Sequence, residues 1–239
     1  MNFDGKTCFL TGASGGLGEE IAKKIASCDC NLFLTGRNEE KLLKLKETIK
    51  NSINDKIKVN YQTGDLNNLD DIKNIIAGAR NSFNKFDVLI NSAGLFLSKS
   101  IQDSTLEEFE KLFNVNIRAP FIFSKEFSGD MIKNNWGRIV NIGSTSSYSG
   151  FKNGSIYCSS KHAILGLSRT LQNELKSKNV RTYCISPGSI KTEMGRITKE
   201  QNFETFLDPI EIARYLVFVI SFDSELISDE VRLNRINVE

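Results

Sequence analysis

The chain has 239 residues, 40% of them hydrophobic and 25% charged, which predicts one domain with one sizeable core. The 31 Lys and Arg against 29 Asp and Glu give a formal charge of +2 with no long basic block, so nucleic acid is not expected as a partner. The start lacks a signal-peptide pattern, and the longest late apolar run, residues 215–220, is far short of the ~18 residues of a membrane span. We therefore expect a cytoplasmic protein with no membrane partner.

The cysteines are an odd number and none forms a C-x-x-C pair; they are Cys8, Cys28, Cys30, Cys158 and Cys184. With a single histidine in the chain, Cys28 and Cys30 have too few companions to complete a metal site. We predict five free thiols and no metal site.

Short apolar runs alternate with amphipathic ones along the whole chain. The runs that predict buried strands lie at residues 6–10, 31–34, 57–61, 86–90, 138–142 and 180–185. Helical spacing falls between them, as at Leu42, Leu45 and Ile49. Strand and helix in alternation imply right-handed crossovers, so residues 1–239 are expected to form a single α/β domain with a doubly wound parallel sheet in three α/β/α layers.

Residues 192–207 are polar, lack a strong period and follow a predicted strand end. Because loops at the carboxyl ends of parallel strands form the ligand crevice, we predict a mobile substrate lid here. An ordinary surface loop with one helical turn is the alternative.

One spacing suggests catalysis. Ser144 ends a predicted strand, and Tyr157 and Lys161, four residues apart, share one face of the helix that follows. A free phenol titrates near ~10, and a neighbouring ammonium lowers that pKa by favouring phenolate. The three groups could therefore move a proton to or from one substrate oxygen, although a Tyr and a Lys at this spacing more often mark simple packing.

A glycine-rich turn follows the first predicted strand and leads directly into a helix. Gly12, Gly16 and Gly18 allow a tight turn and a close approach to a pyrophosphate, and Ser14 and Leu17 lie in the same loop. Free amides at the helix start face the anion. This context predicts a Rossmann-type dinucleotide site.

The end of the second predicted strand carries Arg37 where NAD-binding proteins place an acidic residue for the ribose. A guanidinium suits the 2′-phosphate of NADP, which a carboxylate would repel. Glu39 and Glu40 lie close by, but they fit the first helical turn better. NADP(H) is therefore favoured over NAD(H).

Together, T-G-x-x-x-G-x-G, Tyr157-x-x-x-Lys161 and the upstream Ser144 resemble the short-chain dehydrogenase/reductase family in its single-domain form. Further motifs occur in the family's order: Gly64-Asp65-Leu66, Asn91-Ser92-Ala93-Gly94, Phe113-Asn114-Val115-Asn116 and Ser186-Pro187-Gly188-Ser189-Ile190-Lys191-Thr192. The resemblance extends from residue 6 to about residue 222.

The resemblance implies a role for each motif. Asn116 would join Ser144, Tyr157 and Lys161 in catalysis by holding a water in a proton relay that ends at Lys161. The implied cofactor contacts are Asp65 and Leu66 for the adenine, Asn91, Ala93 and Gly94 for the ribose side, and Pro187, Gly188, Ile190 and Thr192 for the nicotinamide half, with Tyr157 and Lys161 beside it.

Two departures from the family stand out. Asn91-Ser92 replaces the usual Asn-Asn pair, which keeps one amide. The ending, residues 226–239, lacks the glycine pair that usually follows the last strand. A seventh strand at about residues 231–236 is still expected, but the pocket wall and subunit contact there are in doubt.

The implied activity is NADPH-dependent reduction of a carbonyl to a secondary alcohol, with Tyr157 as general acid. The expected edge of the substrate pocket mixes apolar and hydroxyl groups and comprises Leu95, Phe96, Leu97, Thr145, Ser146, Phe151 and Met194. This mixture is compatible with three substrate classes: small ketones, sugars or polyols, and 3-oxoacyl chains on a carrier protein. Two alternative functions are considered. The first is a non-catalytic NADP-binding regulator on the same fold. The second is an extended-type epimerase or dehydratase, for which the chain is too short. The resemblance further suggests a homodimer or homotetramer, formed through helices around residues 105–132 and 157–175.

Overall fold

The sheet has the predicted parallel, doubly wound form. The computed structural model describes residues 3–197 and 201–236, and the seven strands in these ranges have the order β3-β2-β1-β4-β5-β6-β7. The strands are β1 Thr7–Thr11, β2 Asn31–Gly36, β3 Val59–Thr63, β4 Val88–Asn91, β5 Gly137–Ile142, β6 Val180–Pro187 and β7 Glu230–Leu233. Every neighbouring pair is parallel, so all carboxyl ends lie at one edge of the sheet.

Helices connect the strands and cover both faces of the sheet. They are α1 Gly16–Ala26, α2 Glu39–Ser52, α3 Leu69–Ser82, α4 Leu106–Phe113, α5 Ala119–Lys133, α6 Ser155–Leu175 and α7 Pro209–Ile220. Successive strand side chains point to opposite faces. Cys8 and Leu10 accordingly pack into the core beneath α1, α2 and α7, whereas Phe9 packs into the core beneath α3 and α5.

Local side-chain bonds fix where several of the helices begin. The Asn38 side chain accepts a hydrogen bond of 2.9 Å from the Lys41 amide at the start of α2. Thr105 and Glu108 form a reciprocal capping box at the start of α4. These caps satisfy amides that have no partner within the helix. A π-helical segment, Asn114–Arg118, joins α4 to α5 and contains Asn116.

Several predicted strand boundaries are wrong; the fourth strand, for example, begins at Val88 and not at residue 86. The third strand begins at Val59, because Ile57 is buried without joining the sheet and its carbonyl accepts a hydrogen bond from Lys50 instead. The seventh strand is present but ends at Leu233, so Asn234 and Arg235 leave the sheet at its carboxyl edge.

Residues 192–207, the predicted lid, are joined at their two ends. The Lys191 amide donates to the Leu207 carbonyl, and the Leu207 amide donates to the Ser189 carbonyl, both over 2.9 Å. Residues 198–200 lie outside the described part of the chain, and lid motion remains a prediction.

Other predictions concern thiols, metals and membranes. All five cysteines are free and buried, with Cys8 in β1 and Cys184 in β6 as predicted. In the described ranges, no group of three or more His, Cys, Asp or Glu residues is arranged to hold a metal ion. None of the helices in residues 3–197 and 201–236 is both long and apolar enough to cross a bilayer.

Candidate active site

A cleft of about 1580 Å³ runs along the carboxyl edge of the sheet. Most predicted site residues line it: Gly12, Ser14, Gly16, Leu17, Gly18, Arg37, Asp65, Leu66, Ala93, Gly94, Ser144, Tyr157, Lys161, Pro187, Gly188, Ile190 and Thr192. The expected pocket edge, including Phe96, Phe151 and Met194, lines it too. The fold therefore brings the two halves of the predicted site, far apart in sequence, into one cavity.

The glycine loop leaves no room for side chains. Gly12 has a φ of +72°, and a Cβ there would lie 2.7 Å from the Ala93 backbone nitrogen. A Cβ on Gly18 would overlap the Gly12 carbonyl oxygen, and one on Gly16 would lie 2.9 Å from the Thr192 side chain. Because these glycines carry no side chains, a phosphate can approach the backbone amides at the start of α1 closely. The loop therefore fits the pyrophosphate of a dinucleotide.

A cationic wall lies at the end of β2. Arg37 and Lys41 are both exposed and both line the cleft. Within residues 3–197 and 201–236 neither makes an ion pair, so their charges are available to an anion. Lys41 was missed in the sequence, although it follows Arg37 by four residues and belongs to the first turn of α2.

At the neighbouring strand end, Asp65 and Leu66 form a turn that faces the cleft. The Asp65 Oδ1 atom accepts a hydrogen bond of 2.9 Å from the Asn67 amide, and its own amide donates to Asp71 over 2.7 Å. Leu66 is buried beside the same turn. These bonds fix the turn that is expected to contact the adenine.

Tyr157 and Lys161 lie one turn apart near the start of α6, as the spacing predicts. The Lys161 Nζ atom is 5.8 Å from the centroid of the Tyr157 ring and donates a hydrogen bond of 2.9 Å to the Ile142 carbonyl. Ser144 follows β5, where its Oγ atom accepts from the Ser146 amide over 3.1 Å. An acid, a cation and a hydroxyl donor therefore line the same wall.

The pKa of Tyr157 differs from the sequence expectation. Burial raises the pKa of this phenol, and the Ser144 side chain acts in the opposite direction with a smaller effect. Burial also lowers the pKa of Lys161 to about 8. The Tyr157 pKa therefore shifts in the direction opposite to the lowering expected from the neighbouring ammonium, because desolvation disfavours both charged forms. A protonated phenol is the form that a general acid requires.

Asn91 and Asn116 are placed behind the cleft wall, not in its lining. The Asn91 side chain donates to Asn141 over 2.8 Å inside the sheet. The Asn116 side chain accepts from the Leu95 amide over 2.8 Å and donates to Ser160 over 3.0 Å. Asn116 nevertheless approaches the cleft floor, since a Cβ on Gly94 would lie 3.5 Å from its Oδ1 atom and 3.8 Å from Lys161 Nζ.

Two aromatic rings pack beside the Tyr157 phenol. The centroid of the Phe96 ring is 4.8 Å from that of Tyr157, with edge-to-face geometry, and 6.2 Å from that of Phe151. Phe151 and Met194 line the cleft and remain exposed. This wall is suited to an apolar part of a substrate beside the acid.

Comparison with known proteins identifies the family. The family model described as "short chain dehydrogenase" matches residues 6–202. The chain belongs to the short-chain dehydrogenase/reductase family. It is therefore an oxidoreductase with a Rossmann-type nucleotide-binding fold, and the resemblance seen in the sequence is confirmed.

Curated relatives of this short-chain dehydrogenase/reductase match most of its length. It is 30% identical over 215 residues to the "3-oxoacyl-[acyl-carrier-protein] reductase FabG" of Rickettsia conorii, covering 90% of this chain and 85% of the relative. It is also 30% identical over 226 residues to an uncharacterised oxidoreductase of Staphylococcus saprophyticus, covering 95% of each.

Solved structures of family members share the complete fold. A metagenomic short-chain oxidoreductase in complex with NADP is 26% identical, with a TM-score of 0.84 and 98% of each chain covered. An alcohol dehydrogenase from the archaeon Thermococcus sibiricus, complexed with 5-hydroxy-NADP, is 25% identical, with a TM-score of 0.86 and 97% of each chain covered.

Proposed function

We propose that this protein reduces a ketone to a secondary alcohol with NADPH, with Tyr157 as the general acid. The observation that carries the proposal is the shared cleft, which Ser144, Tyr157 and Lys161 line together with the glycine loop. A non-catalytic regulator has no requirement for these three groups in one cavity. The full-length match to single-domain relatives also argues against an extended epimerase.

NADPH is proposed as the cofactor because Arg37 and Lys41 present two cationic side chains at one end of the cleft. Both would bind the 2′-phosphate, which NAD lacks. The start of α1 would hold the pyrophosphate, and residues 187–192 would contact the nicotinamide half. Two similar solved structures contain NADP or a derivative of it, which agrees with this choice.

Each catalytic group would have one task at the substrate oxygen. When bound, NADPH supplies the hydride. Ser144 donates a hydrogen bond to the carbonyl oxygen and orients it, and Tyr157 gives that oxygen its proton. Lys161, when protonated, stabilises the phenolate that remains. It is also the last group of the proton relay that reprotonates Tyr157. Asn116 would position a water in this relay.

Burial raises the pKa of Tyr157 and so favours the protonated phenol, which is the form that reduction requires. Alcohol oxidation would require the same group as a phenolate, which burial disfavours. The balance of the two directions also depends on the cellular NADPH pool.

A second candidate substrate is a 3-oxoacyl chain on an acyl carrier protein, since several curated relatives bear that name. Against it, Asn134 and Asn135 stand where carrier-protein reductases of the family tend to place a basic residue. A small ketone and a sugar or polyol are therefore favoured slightly over a carrier-bound chain.

A homodimer or homotetramer is proposed as the assembly. Leu106 and Phe109 on α4 and Phe121 on α5 are 71%, 41% and 52% exposed, respectively. Apolar side chains grouped on neighbouring helices are typical of an interface between subunits.

The test is Tyr157→Phe, assayed by NADPH consumption with a panel of ketones, with Tyr148→Phe as the matched control. Tyr148 lies outside the cleft lining and hydrogen-bonds Glu230 over 3.3 Å. General acid catalysis contributes about 10²–10⁴-fold, so Tyr157→Phe should lose at least about 100-fold in kcat while Tyr148→Phe stays close to wild type. Wild-type turnover by Tyr157→Phe would refute the mechanism.

A further inference from the structure

The unusual end of the chain places an arginine in the substrate half of the cleft. Arg235 follows β7, is half-buried and lines the cavity together with Asn234. The β7 strand pairs with β6, and the Gly188 amide donates to the Leu233 carbonyl over 2.8 Å. The residue therefore lies beside residues 187–192, the segment expected at the nicotinamide.

Neutral groups hold the Arg235 side chain in place. Its Nη1 atom donates to Thr205 Oγ1 over 3.0 Å, and its Nη2 atom donates to Gln201 Oε1 over 2.8 Å. The guanidinium also lies 5.0 Å from the centroid of the Phe206 ring. A guanidinium has five N–H donors, so three remain after these two bonds.

Arg235 has no carboxylate partner in residues 3–197 and 201–236, unlike Lys191, another cation near the predicted lid. Lys191 forms an ion pair with Glu204 over 3.3 Å. Arg196 stacks on Phe203 at 4.2 Å, and it does not line the cleft. Arg235 thus combines a cleft position, a fixed guanidinium and a charge that has no carboxylate partner in the described part of the chain.

The 2′-phosphate of the cofactor is expected at the opposite end of the cleft from Arg235. Arg37 follows β2, five strand positions from β7, which at about 4.8 Å per strand is roughly 24 Å. The substrate is therefore a nearer source of an anion for Arg235 than the 2′-phosphate is.

We propose that Arg235 binds a carboxylate of the substrate, so that this protein reduces a ketone that is also a carboxylic acid. A fork of N–H donors matches the two oxygens of a carboxylate. The aromatic wall formed by Phe96 and Phe151 accommodates the apolar remainder of the molecule. This inference rests on the carbonyl reduction proposed above, and it narrows the substrate class of the same site.

The experiment uses oxo acids in which one to four carbons separate the ketone from the carboxylate, each paired with its neutral methyl ester. NADPH consumption is measured for wild type, Arg235→Gln, Arg235→Lys and the matched lid control Arg196→Gln. A charged hydrogen bond contributes enough for about a 10- to 100-fold change. In Arg235→Gln, kcat/KM should fall about 10- to 100-fold for the preferred acid and less than about threefold for its ester.

The remaining variants separate charge recognition from a structural role. Arg235→Lys keeps the charge without the fork, so it should fall between wild type and Arg235→Gln for the acid. Arg196→Gln should match wild type. An equal loss on acid and ester with Arg235→Gln would mean that Arg235 only fastens residues 201–206, and the proposal would be wrong.

A binding measurement distinguishes failure of the inference from failure of the proposed function. Thermal unfolding of the NADP⁺-bound protein is followed with and without each oxo acid, because a ligand of the native state raises its apparent stability. Acid-dependent stabilisation of wild type that disappears in Arg235→Gln supports the carboxylate site even if no ketone is reduced. Stabilisation that is unchanged in Arg235→Gln refutes the site even if ketones are reduced.

Discussion

The Nζ atom of Lys161 lies 5.8 Å from the centroid of the Tyr157 ring, on the same face of α6. Burial opposes charge on both groups: it raises the pKa of Tyr157 and lowers the pKa of Lys161 to about 8. The proposed catalytic pair therefore lies in an environment that is unfavourable for the charged form of each group. Such destabilisation is common at functional sites.

This unfavourable environment predicts a pH-dependent stability difference between wild type and Lys161→Met. An unfolded lysine titrates near ~10.4, so between pH ~8 and ~10.4 the unfolded chain binds a proton that the folded chain lacks. The contribution of Lys161 to the free energy of unfolding therefore rises with pH in this window, by up to about 1.4 kcal/mol per pH unit. Below pH ~8, burial of the charged lysine destabilises the folded state by its full amount, about 3 kcal/mol.

Lys161→Met should accordingly gain stability relative to wild type at pH 7 and lose that advantage as the pH rises towards 9.5. Urea unfolding of both cofactor-free proteins at several pH values measures the difference. Other groups that titrate in this range, such as Tyr157, are present in both proteins and largely cancel. Parallel stability curves would show that Lys161 keeps an ordinary pKa.

Gly94→Ala tests the space between Asn116 and Lys161. A Cβ at this position would lie 3.5 Å from Asn116 Oδ1 and 3.8 Å from Lys161 Nζ, both ordinary contacts, so the variant should fold with near wild-type stability. The methyl group would occupy the room expected for the relay water. We expect at least about a tenfold fall in kcat, because a proton relay contributes to general acid catalysis.

The control for that experiment is Gly12→Ala, in which the added Cβ meets backbone at 2.7 Å and φ is +72°. This variant should lose both stability and cofactor binding, whereas Gly94→Ala should keep its stability, and its fall in kcat should exceed any change in NADPH binding. Thermal unfolding and NADPH binding, measured beside kcat, separate the two effects. Wild-type kcat in Gly94→Ala would contradict the relay.

The sequence predicts best where a single local rule decides the geometry. Tyr157 and Lys161 share a face because four residues make about one helical turn, and the glycine loop is recognisable because it must join a strand to a helix. Asn91 and Asn116 were harder to place. A strand end can direct a side chain to the cleft or to the sheet interior, and the π-helical segment that holds Asn116 has no sequence signature that we recognised.

The ending of the chain shows the other limit of sequence-based prediction. Without the family's glycine pair, residues 226–239 gave no motif from which to infer a site. The β7 strand ends at Leu233, and Arg235 lies two residues beyond that end, where it lines the cleft. The sequence pattern predicts instead that the strand continues through residue 235. That boundary depends on tertiary pairing with β6, which local patterns do not encode.

Cofactor choice is predicted to depend on Arg37 and Lys41. Replacing either side chain with alanine should raise the KM for NADPH by about 10- to 100-fold, because each removes a charged hydrogen bond to the 2′-phosphate. The KM for NADH should hardly change. Lys44→Ala is the control, since Lys44 is exposed on the same helix but does not line the cleft. A wild-type preference for NADH would refute the assignment.

The proposed subunit interface predicts a monomeric variant. Phe121 on α5 is 52% exposed, and Leu106 on α4 is 71% exposed, so both side chains would be buried if α4 and α5 meet a second copy of the chain. A glutamate at position 121 would have to be desolvated in that interface without a partner, which costs several kcal/mol and shifts the equilibrium towards monomers. Sedimentation velocity should therefore show a homodimer or homotetramer for wild type and a smaller species for Phe121→Glu. Leu43→Glu is the matched control, because Leu43 is 43% exposed on α2, away from these helices, and the same charge there should leave assembly unchanged. If wild type sediments as a monomer, or if both variants assemble as wild type does, α4 and α5 do not form the interface.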